Sequence, residues 1–306
     1  MTGVDLETLR LLAAIGDLGS INAAAARLGI SQPAGSARLR EFEARWQIAV
    51  AVRTPRGTVL TPEGDAVVGW SRKVLREVEA MESGLRAMTA AQRGDLAVAA
   101  SLTIAEFLLP RWMSGLRVAA PGVRPHLQVV NSEAVLDLLG RGAVTLGFIE
   151  DAERPVGVSH TVIGYDSIVI VVEPGHPWAR RTYPIPPEQL RAESYVLREP
   201  GSGTRSTFER ALRAVPEVAL EASSTQTLLG AALAGVGPAV LSALAVKSHL
   251  ERGELVAVPT ELDLRRPLRA VWTRGQRLAG PARELLRIAT SASGVDSTTA
   301  LRERPD

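Results

Sequence analysis

The strongest constraint on the fold of this chain is a pair of short, capped helical segments on either side of Gly29. Ser20 precedes the alanine-rich run 21–28, whose first turn its hydroxyl can cap, and Gly29 then ends the segment. Ser31 can cap a second helix. Pro33 fits the first turn of that helix, because the N–H that proline lacks has no intrahelical partner there. The pattern predicts a helix-turn-helix.

The second of these helices is predicted to have a core face and an outer face. Leu39, Phe42 and Trp46 follow one another at spacings of three and four residues, so they should all point inward. On the opposite face Gln32 is expected to read a base edge, because an amide donates and accepts hydrogen bonds in one plane. The outer face of the helix would carry Gln32, Pro33, Ser36, Ala37 and Arg40.

Positive charge is concentrated in the N-terminal part of the chain. The net charge is only +2, but residues 1–93 carry twelve Arg and Lys against ten Asp and Glu, whereas residues 94–306 carry twenty-three of each. Between Arg27 and Arg56, six arginines stand against two glutamates. A phosphate footprint requires such a local patch. The predicted DNA contacts are Ser31, Gln32, Pro33, Ser36, Arg38, Arg40, Arg53 and Arg56.

A short basic hairpin follows the two helices. The run 53–57 reads Arg-Thr-Pro-Arg-Gly, and its proline and glycine are typical of a turn. Beside a helix that lies in a major groove, Arg53 and Arg56 are expected to contact the DNA backbone as a wing.

Four short runs carry a family resemblance, namely Gly-Ser-Ile-Asn-Ala-Ala-Ala at 19–25, Leu-Gly-Ile-Ser-Gln-Pro-Ala at 28–34, the hairpin 53–57, and Leu-Thr-Pro-Glu-Gly at 60–64. The region resembles the winged helix-turn-helix of LysR-type transcriptional regulators, and the resemblance extends in outline over nearly the whole chain. It implies a DNA-binding regulator that is not an enzyme, with a dyad-symmetric operator and a small-molecule effector as partners. Two residues depart from the family: Gly35 stands where a core leucine is usual, and Ala37 where a basic or polar residue is common.

One long helix is predicted from Pro62 onward, because no further proline occurs before Pro110 and Thr61 can cap its start. Its apolar residues recur at heptad spacing, which indicates a coiled-coil seam. The alternative is an amphipathic helix that packs on its own domain. The family resemblance favours pairing of two subunits, in a homodimer or homotetramer. The predicted seam residues are Val67, Val74, Val78, Met81, Leu85 and Met88.

Strands and helices alternate in the rest of the chain, which predicts a two-lobed α/β effector domain similar to periplasmic solute-binding proteins. One helix is expected over 104–118, and the first strand of the second lobe over 167–172. Two crossings between the lobes imply a hinged cleft. The predicted domains are a winged helix-turn-helix at 1–61, a linker helix at 62–92, an effector domain at 93–290 (lobe I about 93–165 and 267–290, lobe II about 166–266) and a solvated tail at 291–306.

Candidate effector contacts lie where strands lead into helices, because free backbone N–H groups and the helix dipole favour an anion there without a fixed Arg or Lys. The glycine-rich run 198–205 and the run 147–150 resemble the LysR subgroup of sulfur-assimilation and carbon-fixation regulators, whose effectors are small oxyanions or phosphorylated metabolites. Glu150 would repel an anion unless paired or protonated, so a zwitterion remains open. The predicted contacts are Ser101, Thr103, Ser132, Glu150, Ser202, Gly203, Thr204 and Thr225.

Two other classes of protein remain open. The cleft would also suit a solute-binding protein of a transport system, although the chain does not begin with a charged and then apolar signal segment. An α/β enzyme is the second alternative, since fold does not fix function, but we find no acid/base pair, phosphate loop or cofactor fingerprint. The chain has no cysteine, and its four histidines lack metal-ligand spacing, so neither a metal nor a cofactor is predicted. The expected location is the cytoplasm.

Overall fold

The structure, a computed structural model, describes residues 4–54, 57–92 and 94–292. The chain divides into two compact units, residues 1–83 and 84–306. Within the described ranges, no helix combines the length and the apolar character needed to cross a membrane.

The N-terminal unit has the capped helices that the sequence predicts. Ser20 Oγ accepts a hydrogen bond from the Ala23 N–H and Ser31 Oγ from the Ala34 N–H, each at 3.3 Å. Gly29 lies between these helices with a φ of +68°, a conformation that favours glycine. The elements are α1 (Leu6–Leu18), α2 (Ile21–Arg27), α3 (Gln32–Trp46), the antiparallel strands β1 (Ala51–Thr54) and β2 (Gly57–Leu60), and α4 (Pro62–Gln92).

The inward face of α3 is shorter than predicted. Leu39 is buried in the core with Leu11 and Ile15 of α1, and Phe42 packs against its edge. Trp46, however, is 51% exposed, so its predicted core position is wrong. The helix ends at Trp46, and Gln47 turns left-handed with a φ of +55°, so the last turn extends past the core.

The first turns of α4 belong to the core of the N-terminal unit. Val67 is only 7% exposed and packs with Val68 in that core, so its predicted place in a subunit seam is wrong. The cause is close packing on α1, where a Cβ added to Gly16 would lie 2.7 Å from a Val68 methyl. The start of α4 is packed more closely still, since a Cβ on Gly64 would lie 1.9 Å from the Val50 carbonyl oxygen.

Further along α4 the predicted stripe is largely exposed. Val74 is 44% and Met81 60% exposed, Leu85 is exposed as well, and Val78 is partly buried. Trp70, absent from the predicted seam, is 67% exposed one turn before Val74. The side chain of Met88 lies outside the described part of the chain.

The C-terminal unit is organised by a sheet with the strand order β4-β3-β5-β11-β6-β9-β7-β8, and β10 pairs with β6. The strands are β3 (Asp95–Ala100), β4 (Arg124–Val129), β5 (Leu146–Glu150), β6 (Val158–Val172), β7 (Ser194–Leu197), β8 (Glu217–Glu221), β9 (Ala239–Ser242), β10 (Val256–Ala257) and β11 (Arg265–Thr273). The helices are α5 (Leu102–Phe107), α6 (Leu109–Ala119), α7 (Ser132–Gly140), α8 (Pro187–Arg191), α9 (Gly203–Leu212), α10 (Thr225–Leu233), α11 (Ala243–Glu251) and α12 (Gly280–Ser291), with a 3-10 turn at Pro177–Arg180.

Two strands join the lobes of this unit. One lobe has a hydrophobic core around Trp112 and Phe148, the other around Tyr195 and Phe208. The antiparallel strands β6 and β11 pass from one core to the other and pair with each other at the crossing. The strand predicted to start the second lobe at 167 therefore begins at Val158, in the first lobe.

The helix predicted over 104–118 is two helices, α5 and α6, with a break at Leu108. Pro110 lies in the first turn of α6, and its ring cannot follow an unbroken helix without a clash. The break leaves α5 as a separate short helix directly after β3. The predicted tail is described only as far as Ala292; residues 293–306 lie outside the described ranges.

Candidate functional site

The outer face of α3 presents mainly the residues that the sequence predicts. Ser31, Pro33 and Arg40 are exposed, and Gln32 and Arg38 are partly exposed. Arg40 has no ion-pair partner among the residues that the structure describes. This face offers an amide, a capping hydroxyl and guanidinium groups to an approaching duplex.

Ser36 is not on this open face. It is 5% exposed, and its Oγ accepts a hydrogen bond of 2.9 Å from Gln32 Nε2. The prediction of a direct DNA contact at Ser36 is therefore wrong in this structure, where the hydroxyl orients Gln32 instead. The burial follows from the small neighbour Gly35, where an added Cβ would lie only 3.1 Å from the Ala25 Cβ, so that α2 and α3 pack closely.

The basic patch is smaller than the count of arginines suggests. Asp17 accepts ion pairs from Arg72 at 2.6 Å and Arg27 at 2.9 Å, and hydrogen bonds from these two guanidinium groups lower the pKa of Asp17. Arg27 is thus largely neutralised locally. Of the predicted wing contacts, Arg56 lies outside the described residues, and of Arg53 only the backbone in β1 is described.

The hairpin is fastened to α3 and to the end of α1. Glu43 Oε1 accepts hydrogen bonds from the backbone N–H groups of Val50 at 2.8 Å and Ala51 at 3.3 Å. The Thr58 N–H donates to the Gly19 carbonyl at 2.9 Å. These contacts fix the strands of the hairpin relative to α3, so that both move as one surface.

In the C-terminal unit, the predicted effector contacts are all buried, and three of them contact Glu150. Thr103 Oγ1 donates to Glu150 Oε1 at 2.8 Å, and Ser132 Oγ donates to the Glu150 carbonyl oxygen at 3.1 Å. Gly203 approaches so closely that a Cβ there would lie 1.4 Å from that carbonyl oxygen. The residues in question are Ser101, Thr103, Ser132, Glu150, Ser202, Gly203, Thr204 and Thr225.

Three of these residues have more local roles. Ser202 Oγ accepts a hydrogen bond from the Thr204 N–H and caps α9. Ser101 precedes α5 without a capping bond, and its buried Oγ has no hydrogen-bond partner in the described structure. Thr225 is buried at the start of α10 and forms no described hydrogen bond with the group around Glu150.

Arg266 lies at the centre of the group and was missed by sequence reasoning. Its side chain is 0% exposed and donates to Thr204 Oγ1 at 3.0 Å in one lobe and to Thr103 Oγ1 at 3.3 Å in the other. The sequence predicts a cleft without a fixed Arg or Lys, whereas the structure has Arg266 in it. A signal was present, because the lobe crossings predicted at 166 and 266 put Asp166 beside Arg266, and the two residues are paired across β6 and β11.

Asp166 is the main partner of Arg266. Its Oδ2 accepts hydrogen bonds of 3.0 Å from Arg266 Nε and 2.7 Å from Nη2. Its Oδ1 accepts from Ser242 Oγ at 2.9 Å. A second buried arginine, Arg198, is held by Glu199 through bonds of 2.9 and 3.0 Å, and its positive charge acts on Glu150 without a hydrogen bond.

Glu150 is the least satisfied member of the cluster. Burial raises the pKa of its carboxyl, an effect that the positive charge of Arg266 opposes. Its Oε2 atom lies 3.4 Å from Arg266 Nη2, yet it has no hydrogen-bond partner among the described atoms. Glu150 therefore retains an unused acceptor inside the protein.

The cleft is closed around these side chains. The Glu133 N–H donates to the Gly201 carbonyl and Asn131 Nδ2 to the Pro200 carbonyl, both at 3.2 Å. Ser206 Oγ donates to Asp151 Oδ2 at 3.0 Å. These contacts join the two lobes beside the buried cluster.

Comparison with known families matches both units of the chain. Residues 6–65 match the model described as "Bacterial regulatory helix-turn-helix protein, lysR family". Residues 89–293 match the "LysR substrate binding domain". The second match alone covers more than half of the chain.

Individual relatives agree with this assignment. An uncharacterized HTH-type transcriptional regulator of Mycobacterium tuberculosis is 40% identical over 303 residues, which cover 94% of this chain and 97% of that protein. A RuBisCO operon transcriptional regulator of Allochromatium vinosum is 29% identical, over 92% of this chain and 95% of that one.

Solved structures share the fold. Full-length CbnR in complex with its target DNA has a TM-score of 0.54 at 18% identity, covering 94% of this chain and 100% of that one. The regulatory domain of CcmR from Synechocystis PCC6803, in complex with 2-PG, has a TM-score of 0.59 at 23% identity, covering 66% of this chain and 98% of that domain. The chain belongs to the LysR family of bacterial regulatory helix-turn-helix proteins.

Proposed function

We propose that this LysR-type transcriptional regulator reads its operator through the outer face of α3 and responds to a small anion or zwitterion bound between the two lobes of its effector domain. Members of this family are DNA-binding regulators that act as oligomers, not enzymes. In this protein residues 1–61 would bind DNA, the helix 62–92 would pair subunits, and residues 93–290 would bind the effector. Access to chromosomal DNA requires a cytoplasmic location.

The observation that carries the effector site is the meeting of Thr103 and Thr204 at one buried guanidinium. These hydroxyls come from opposite lobes and both bind Arg266. A ligand with an acidic group can replace either contact, because hydroxyl and guanidinium donors suit an anion. The CcmR domain, whose structure holds 2-PG, supports a small molecule as the class of effector.

Effector binding would change the protein by moving the lobes. Since the lobes are closed around Arg266, they must separate to admit a ligand. They would then close around the ligand, further apart than without it. A change in lobe angle would alter the spacing of the two winged domains in a dimer. Such a change would shift the affinity for two operator half-sites.

The effector site can be tested with Thr103→Val and Thr204→Val. Each change keeps the shape of the side chain but removes a hydroxyl, so each should cost about 1 to 3 kcal/mol of effector affinity. Titration calorimetry of the full chain would measure this, after a thermal-shift screen with sulfate, phosphate, phosphoglycolate, sugar phosphates and amino acids.

Thr290→Val is the matched control, because Thr290 lies exposed on α12 and bonds only its own helix. It should leave effector affinity unchanged. DNA binding without effector should be normal in all three variants. Normal effector affinity in both cleft variants would place the ligand elsewhere.

A second prediction concerns base reading by Gln32. Replacing Gln32 by Ala should weaken specific operator binding by about 1 to 3 kcal/mol and leave binding to random DNA nearly unchanged. Ser36→Ala should cost less, since Ser36 is buried behind Gln32 and bonds its amide. Fluorescence anisotropy with an operator duplex and a scrambled duplex measures both affinities.

The wing arginine provides the contrast. Arg53→Ala should weaken binding to both duplexes and reduce the slope of log affinity against log salt by about one. If Gln32→Ala instead lowers both affinities equally, Gln32 contacts the DNA backbone and does not read a base.

A further inference from the structure

The charges at the centre of the cleft do not balance. Arg266, Asp166 and Glu150 are all fully or almost fully buried, and one guanidinium faces two carboxyl groups. The positive charge of Arg198 also acts on Glu150, but Glu199 pairs with Arg198 and balances it. With both carboxyl groups ionised, the cluster carries a net charge of −1 inside the protein, where an uncompensated charge is costly.

The excess negative charge is localised on Glu150. Asp166 accepts two bonds from Arg266 and one from Ser242, so both of its oxygens have donors. Glu150 receives one bond, from Thr103 to Oε1, while Oε2 receives none in the described structure. The acceptor without a donor is therefore Glu150 Oε2.

A second buried oxygen without a partner belongs to Ser101, which lies at the end of the neighbouring strand. The Ser101 N–H donates to the Phe148 carbonyl at 2.9 Å, and Phe148 lies two residues before Glu150 on β5. The Ser101 hydroxyl is 1% exposed. A carboxylate oxygen and a hydroxyl, both free to accept, suit a ligand that donates hydrogen bonds and carries positive charge.

The same cleft offers donors for a carboxylate. Arg266 has five N–H donors, of which two bonds to Asp166 and one each to Thr103 and Thr204 use four, so one N–H on Nη1 remains. Thr204, which accepts from Nη1, can donate its own hydroxyl hydrogen. A positive group on the ligand would thus lie beside Glu150, and a carboxylate on the same ligand beside Arg266.

We propose that the effector is an amino-carboxylate of the amino-acid class, whose ammonium group binds Glu150 and whose carboxylate binds Arg266 and Thr204. The inference rests on the proposed function and narrows its ligand from any small anion to a zwitterion. A pure anion would add a second negative charge to the buried cluster. It would bind only if Glu150 took up a proton, which the raised pKa of its carboxyl would permit.

The test uses pairs of ligands that differ only in the ammonium group. The common L-amino acids are titrated into the full-length protein by calorimetry, and the tightest is compared with the hydroxy acid of the same skeleton, for example aspartate with malate or alanine with lactate. We expect the amino acid to bind about tenfold to hundredfold more tightly, since a charged hydrogen bond is lost in the hydroxy acid.

Glu150→Gln should remove most of this preference, while Glu106→Gln, which changes an exposed carboxylate on α5, should preserve it. Repeating the titration in buffers of different ionisation enthalpy gives the protons exchanged. An ammonium ligand keeps Glu150 ionised, so its binding should take up no proton. The proposal is overturned if the preference survives in Glu150→Gln, or if no amino acid binds.

Phosphate, sulfate and phosphoglycolate separate this proposal from the effector site itself. If one of them binds with proton uptake and loses affinity in Thr103→Val and Thr204→Val, the cleft is the effector site but the ligand is an anion. If the affinity for the ligand is unchanged in both threonine variants, the ligand binds elsewhere and the proposed effector site is wrong.

Discussion

Replacing Arg266 by methionine should lower the free energy of unfolding of the effector domain by about 3 to 5 kcal/mol, the usual cost of breaking a buried ion pair by removing one partner. Methionine is shorter than arginine but is an unbranched, flexible side chain that fills much of the same volume, so the loss is mainly electrostatic. Asp166 and Glu150 would be left as two buried carboxyl groups without a cation. Urea unfolding followed by circular dichroism measures the change.

Two controls separate charge from packing in this prediction. Adding Asp166→Asn and Glu150→Gln to the methionine variant removes the uncompensated charges and should recover much of the lost stability. Arg287→Met breaks an exposed ion pair with Glu284 and should hardly shift the unfolding midpoint. A small loss in the Arg266 variant would mean that the cluster is hydrated or already protonated.

The N-terminal unit could be predicted well where local chemistry decides the structure. Ser20, Ser31 and Thr61 all cap the helices that follow them, because capping depends only on residues two or three positions away. The errors at Trp46 and Val67 have another cause. Helical periodicity shows which face of a helix a side chain is on. It does not show how far along that face a neighbouring helix packs, so it cannot distinguish a core contact from an exposed stripe.

The effector cleft shows the same division between local and distant information. Polar residues that end an apolar strand could be read from the sequence, and those at Thr103, Ser132 and Thr204 are buried together. Arg266 follows no such local rule, because its partner Asp166 lies 100 residues away, and its one sequence signal is the position of both residues at the predicted lobe crossings. Only the pairing of β6 with β11 brings the two together.

Replacing Val74 and Met81 together by glutamate should abolish dimerisation and lower operator affinity by about 10²-fold to 10⁴-fold, the gain expected from linking two binding modules. Both side chains are exposed on α4, at 44% and 60%, together with Trp70 at 67%. A dimer pairing these faces would bring four added carboxylates into an apolar seam, where like charges repel and lose hydration. Analytical ultracentrifugation measures the assembly, and anisotropy the operator affinity.

Arg76→Glu is the matched control, because this single substitution lowers the charge of the chain by about two, as the double substitution does. Arg76 lies about 150° around α4 from the stripe. It should leave the dimer intact. Neither variant should alter the fold of the N-terminal unit, since the core contacts of α4 come from Val67 and Val68. An unchanged sedimentation coefficient in the double variant would show that subunits associate through another surface. The exposed stripe would then need a different partner to cover it.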